Sequence, residues 1–101
     1  MYIKEDLKHS ESRAIHAAEM LRAVAHPIRL RIIAILCEHE EHVSALAEQL
    51  ELKQAIVSQQ LRILRAHRLV AVTRENGHAY YALAEPQLRT FIGCVENCTR
   101  D

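Results

Sequence analysis

Apolar residues recur along this chain with two different periods. From Ser10 to Val24 the positions Ala14, Ala17, Ala18, Leu21 and Ala25 follow the three-and-four spacing of a helical face, widened by Ile15 and Met20. So many alanines on one face let another helix come close, whether a neighbour in the same chain or a second copy. Ala25-His26-Pro27 interrupts that pattern. Proline is at home in the first turn of a helix, where its missing N–H is no loss. A second helix is therefore expected from Pro27 to about Cys37 or Glu38, with Ile28, Ile32, Ile33, Leu36 and Cys37 apolar. It is the most hydrophobic segment and the expected centre of the core. The polar, acidic run Glu38-His39-Glu40-Glu41-His42 reads as a solvated connector.

Ser44 fits the N-cap of a short helix, Ala45 to Leu50, with Leu46, Ala47 and Leu50 facing inward. The connection Glu51-Leu52-Lys53 leads to a further helix, Gln54 to His67, which buries Val57, Leu61 and Leu64. The period then changes to two. Leu69–Thr73 and Ala79–Leu83 read as strands around Asn76-Gly77, the strongest short hairpin signal. Glu85-Pro86 opens a last helix to Cys98, striped by Leu88, Phe91, Ile92 and Val95. The expected architecture is mainly α: four helices, a two-stranded β-hairpin and a closing helix. Two short helices joined by a tight turn and followed by a hairpin describe a winged helix-turn-helix.

With 101 residues, half of them hydrophobic, the chain is expected to be one domain, residues 1–101, with one modest core. Two glycines and two prolines leave little room for the turns of an all-β fold. No apolar run approaches the roughly 20 residues that span a bilayer, and the N-terminus shows no signal-peptide pattern. The expected compartment is the cytosol, with no membrane partner. No Ser-His-Asp set, carboxylate dyad or glycine-rich phosphate loop is visible, so the chain is not expected to be an enzyme.

Charge changes the picture most between Lys53 and Arg74. The chain is neutral overall, with 13 basic and 13 acidic residues, yet this stretch carries Lys53, Arg62, Arg65, Arg68 and Arg74 and no Asp or Glu. It falls on the second helix of the helix-turn-helix and the first wing strand. A neutral chain that gathers cations there presents a local anion-binding surface. Gln54, Ser58, Gln59 and Gln60 add groups that hold phosphates or read base edges. The expected DNA contacts are Lys53, Gln54, Ser58, Gln59, Gln60, Arg62, Arg65 and Arg68 on or beside the helix, with Arg74 and His78 on the wing. The expected partner is double-stranded operator DNA, read by a homodimer through the terminal helices, about residues 10–25 and 86–98. A winged helix that binds another protein instead is the competing class; it would not need an acid-free stretch.

Several motifs together resemble the ArsR/SmtB family, dimeric winged-helix repressors that sense metals or sulfur species. Ala23-Val24-Ala25-His26-Pro27-Ile28-Arg29-Leu30-Arg31-Ile32 resembles the opening of that family's second helix. Ser44-Ala45-Leu46-Ala47-Glu48-Gln49-Leu50 resembles its third, and Ala55-Ile56-Val57-Ser58-Gln59-Gln60-Leu61-Arg62-Ile63-Leu64 its recognition helix. Leu69-Val70 with Tyr80-Tyr81-Ala82-Leu83 resembles its wing. Gln60 departs from the pattern, because the family usually carries His there. The Cys-x-Cys metal pair of many members is absent at His42–Leu46, and the last helix has no His for their zinc site.

Sensing therefore falls on the cysteines. Cys94 and Cys98 are four apart and share one helical face. In the resembling fold the second helix packs near the last, which would bring Cys37 to them. Three thiolates suit a soft ion, so Cys37, Cys94 and Cys98 are the candidate ligands of trivalent arsenic, antimony or another thiophilic ion acting as inducer. A redox or persulfide switch that pairs Cys37 with Cys94 or Cys98 is the alternative, and an ordinary core Cys37 beside an exposed C-terminal pair is a third. DNA binding itself is expected to need no cofactor.

Overall fold

A computed structural model of the protein describes residues 6–98. In chain order its elements are α1 (Glu11–Val24), α2 (Pro27–Leu36), β1 (Glu41–His42), α3 (Val43–Leu50), α4 (Gln54–Ala66), β2 (Val70–Glu75), β3 (His78–Leu83) and α5 (Gln87–Cys98). Helices predominate, as the apolar periods require, and the winged helix-turn-helix order is the expected one.

The core is built where the apolar stripes meet. Ile32, Ile33 and Leu36 of α2 are fully buried against Leu46 of α3, Val57, Leu61 and Leu64 of α4, and Leu88 of α5. Helix α2 thus occupies the centre, as its composition indicates. Burying a large aliphatic side chain contributes about 1.5–3 kcal/mol, so this small set carries much of the fold's stability.

Local chemistry sets the helix boundaries. Ser10 caps α1 by accepting the Arg13 N–H at 3.2 Å. At α2 the cap is His26, whose Nδ1 accepts the Ile28 N–H at 3.2 Å, with Pro27 in the first turn. Helix α3 starts earlier than expected. His42, not Ser44, is its N-cap: the imidazole Nδ1 accepts the Ala45 N–H at 3.3 Å, while the Ser44 hydroxyl bonds that same nitrogen at 2.7 Å.

The connector from Glu38 to His42 is also not wholly a loop. Glu41 and His42 pair antiparallel with Tyr81 and Tyr80, giving a three-stranded sheet in the order β1-β3-β2. The pairing is made by backbone groups, which the polar side chains of this segment do not reveal. In the hairpin, Glu75 pairs with His78 across the turn. Asn76 and Gly77 both have positive φ, 51° and 80°. This is the geometry an Asn-Gly hairpin turn requires.

Among the described residues, much of α1 stands open to solvent. Only its last residues, Ala23 and Val24, are buried, whereas Ile15 is 55% and Leu21 44% exposed. No helix among the described residues is long and apolar enough to cross a membrane.

Candidate nucleic-acid interface

Helix α4 divides its residues by angle. Val57, Leu61 and Leu64 point into the core. On the opposite side Ala55, Gln59, Arg62 and Ala66 form an exposed stripe at spacings of four, three and four. Ser58 is half-buried on one shoulder of that stripe, and Arg65 and Gln54 are exposed beside it. Ala55 keeps the N-terminal end of the stripe low, so another surface can approach the backbone there.

The start of α4 favours an anion. Lys53 is the N-cap residue, no side chain caps the helix and its first turn carries no acid. The Gln54 and Ala55 N–H groups therefore remain available to a phosphate, which the helix dipole attracts further, while the Ile56 N–H already bonds the Lys53 carbonyl at 3.1 Å. Helix α3 sets this end through a turn in which Glu51 adopts φ 57°. The Leu52 N–H returns to the Ala47 carbonyl at 3.0 Å.

The far end of α4 closes in the same way. Arg68 takes φ 60°, and the Leu69 N–H bonds the Leu64 carbonyl at 3.0 Å. This closure buries Leu69 and leaves the Arg68 side chain exposed. It also launches β2 into the wing, where Arg74 and His78 are exposed near the tip. Glu75 stands between them in the chain, so the acid-free surface ends there.

Of the ten expected contacts, Lys53, Gln54, Gln59, Arg62, Arg65, Arg68, Arg74 and His78 are exposed, and Ser58 and Gln60 are half-buried. Gln60 differs from the rest. Its Oε1 accepts a hydrogen bond from Nη1 of Arg29 at 3.0 Å, on the flank of α4 that meets α2. Arg29 lies within the Ala23–Ile32 motif, but no local pattern foretells a contact 31 residues away.

The cysteines do not gather within one chain. Cys37 closes α2 and is half-buried, whereas Cys94 and Cys98 are exposed, and all three are free thiols. Two residues show which face of α5 meets Cys37. The Arg89 Nε donates to the Cys37 carbonyl at 3.1 Å, and Glu96 acts electrostatically on the Cys37 thiol. Arg89 and Glu96 are seven apart and share a face. At 100° per residue, Cys94 and Cys98 lie about 140° and about 180° around the helix from Arg89. Among the described residues no group of three His, Cys, Asp or Glu is placed to hold a metal ion. The expected convergence of Cys37 on the C-terminal pair is not made in a single chain, because the pair turns away from α2. Burial pushes the Cys37 thiol above the usual thiol range; Arg89 opposes that shift, and Glu96 and Glu38 add to it.

A cation-bearing helix with an open N-terminus, held by a preceding short helix and followed by a hairpin, defines a winged helix-turn-helix of the DNA-binding type. The sequence profile described as bacterial regulatory protein, arsR family, matches residues 26–72, from the cap of α2 into β2. The biofilm growth-associated repressor of Xylella fastidiosa (strain Temecula1) is 31% identical over 97% of this chain and 85% of that protein. Reduced HlyU from Vibrio cholerae N16961 superposes with a TM-score of 0.81 at 31% identity, covering 88% of this chain and 96% of that one. A homodimeric winged helix-turn-helix DNA-binding domain from Mycobacterium bovis gives a TM-score of 0.77 at 26% identity, covering 96% and 88%. The chain belongs to the ArsR family and is a transcriptional regulator of that family.

Proposed function

We propose that the protein is a dimeric repressor that binds operator DNA through α4 and the wing and releases it when a thiol-reactive signal engages its cysteines. The observation that carries the DNA half is the outward stripe of α4, with the open helix N-terminus at one end and Arg65 and Arg68 at the other. Gln59 and Arg62 sit where a major groove would receive them, with Gln54 and Ser58 alongside. Lys53, Arg65, Arg68 and Arg74 suit phosphates. The repressor in Xylella and the homodimeric domain from Mycobacterium bovis support the direction of control and the dimer.

For the signal, the exposed Cys94–Cys98 pair is the better candidate. On a helix, residues four apart have Cβ atoms about 5–6 Å from each other, so two thiols there can hold one trivalent arsenic. Arsenous acid would form two S–As bonds and release two waters, with no change of oxidation state. A disulfide from Cys37 to either member of the pair needs α5 to rotate or unwind, so geometry favours it less. A coupling of 1–3 kcal/mol between thiols and DNA would shift affinity by about 5–150-fold.

Fluorescence anisotropy with labelled duplex, across a salt series and with or without arsenite, tests both halves. Affinity should fall steeply and linearly against log salt, by the counterions that phosphate contacts release. Arsenite should weaken binding by wild type and Cys37→Ser, but not by Cys94→Ser/Cys98→Ser. A flat salt dependence would remove the DNA reading in favour of a protein-interaction module. An arsenite response that survives loss of both C-terminal thiols would remove the signal reading.

A further inference from the structure

Arg29, on α2, is fastened to the helices on either side of it. Its Nε donates to the Ala23 carbonyl at 2.6 Å, and its Nη1 donates to Gln60 Oε1 at 3.0 Å. Ala23 is in the last turn of α1, among the carbonyls that a helix leaves without an internal partner. Pro27, four residues on, has no N–H to give it. Ala23 is also buried, at 4% exposure, so that carbonyl needs a protein donor. The Arg29 guanidinium supplies it. Because the guanidinium is a rigid planar fork, satisfying Ala23 limits where its other arm can point, and that arm holds Gln60.

Gln60 stands beside the buried spine of α4, away from the outward stripe. At 100° per residue it lies about 40° from Leu64 and about 60° from Val57, but about 160° from Arg62. The spine itself, Val57, Leu61 and Leu64, packs through apolar contact, which is non-directional. Such contact sets how deep α4 sits better than how it rolls or slides along its own axis. A hydrogen bond has a preferred length and angle, and one placed on the flank resists both motions. The geometry points to Arg29 as a positioning residue that locks the roll and slide of α4 to the end of α1, and so sets the half-site spacing that a dimer can read. This inference rests on the DNA-binding reading of α4 and on a dimer formed through α1. The relation of α1 to α4 then enters the separation of the two recognition helices twice, once per protomer. Adding one base pair between half-sites moves them apart by about 3.4 Å and turns one against the other by about 34°. Slack at this strut would let the dimer follow that change.

The test uses a site enriched from a randomised duplex pool by the full-length protein, rebuilt with its half-sites one base pair closer, one base pair farther, and as a single half-site. Wild type should bind its own spacing more than about tenfold tighter than either neighbour, and Arg29→Met and Gln60→Met should each bring that ratio below about threefold. Their affinity for the single half-site should stay near the wild-type value, because the outward stripe is untouched. Gln60→Glu keeps an acceptor for Nη1 in a charge-assisted bond and should keep the wild-type ratio. A merely structural role would lower the melting temperature and weaken all duplexes alike without changing the ratio. If both Met variants are dimeric, bind DNA and keep the wild-type ratio, or if wild type binds all spacings equally, the assignment is wrong. Should Arg29→Met fail to fold, Gln60→Met decides alone. A wild type that enriches no duplex removes the DNA reading, one that binds its site as a monomer removes the dimer, and either takes this inference with it.

Discussion

His42 shows how much one side chain can settle when three neighbours use it. Its Nδ1 caps α3, the Ser44 hydroxyl bonds the same atom, and the ring stands edge-on to Tyr80 with centroids 5.7 Å apart at 72°. A cap is typically worth about 1 kcal/mol and an aromatic pair about 0.5–1.5. His42→Ala should therefore lower stability by about 1–2 kcal/mol in denaturant unfolding. His42→Asp keeps a capping oxygen and should recover part of that loss. Ser44→Ala leaves the cap itself in place and should cost within about 0.5 kcal/mol, the usual range for a surface change. A larger loss from Ser44→Ala than from His42→Ala would reverse the assignment.

Cys37 offers a second test at this scale. Burial, the largest effect on it, disfavours the thiolate, and Glu96 and Glu38 act in the same direction against Arg89. The folded protein thus binds this proton more tightly than the unfolded chain. That contribution to stability is complete below the unfolded thiol's pKa and is lost as pH rises through the higher folded value. Since the thiolate is the nucleophile, iodoacetamide at neutral pH should modify exposed Cys94 and Cys98 before Cys37. The lag of Cys37 should shorten above the ordinary thiol range. Mass spectrometry of timed samples reads this directly, and equal rates at neutral pH would contradict the burial argument.

At the scale of elements, α3 and α4 end alike, on a left-handed residue that is not glycine: Glu51 at φ 57° and Arg68 at φ 60°. Such a residue costs about 1 kcal/mol relative to glycine. Part of that is offset because glycine leaves the unfolded chain freer. Arg68→Gly should raise the melting temperature by a few degrees, roughly 4–8 °C per kcal/mol for a domain this size. It should also weaken every duplex about equally and reduce the salt slope by about 1, the mark of a lost phosphate contact. A variant more stable and no weaker on DNA would take Arg68 off the interface. The same elements show what the sequence makes legible. Val57, Leu61 and Leu64 were readable because helical periodicity is local, and the wing turn because Asn-Gly meets a local backbone demand. Strand β1 was not readable: Glu41 and His42 join the sheet through backbone bonds to Tyr81 and Tyr80, about forty residues on. The Arg29–Gln60 bond was hidden for the same reason, and the outward turn of Cys94 and Cys98 depended on which face of α5 Leu88 and Ile92 commit to the core.

At the scale of the whole molecule, the exposed length of α1 is what a single chain leaves unexplained. Ile15 and Leu21 stand 55% and 44% exposed, with Leu7 at 57% just before the helix. Ala14, Ala17 and Ala18 lie among them and allow close approach of another helix. Covering an aliphatic side chain that is half-exposed gains on the order of 1 kcal/mol, a fraction of the 1.5–3 for full burial. Several such residues, counted twice across a twofold axis, give a substantial share of a dimer's affinity. A dimer is also what DNA geometry asks for, since two recognition helices read successive major grooves when held about 34 Å apart. Ile15→Glu/Leu21→Glu should therefore yield a monomer in sedimentation equilibrium. Its own fold should persist, because neither side chain belongs to the buried core. Its operator affinity should fall by orders of magnitude, because each half-site then binds independently and the effective concentration supplied by the partner is gone. The salt slope per protomer should remain, since α4 and the wing are untouched. A variant that stays dimeric would place the interface elsewhere, and one that is monomeric but binds DNA as tightly as wild type would detach recognition from assembly.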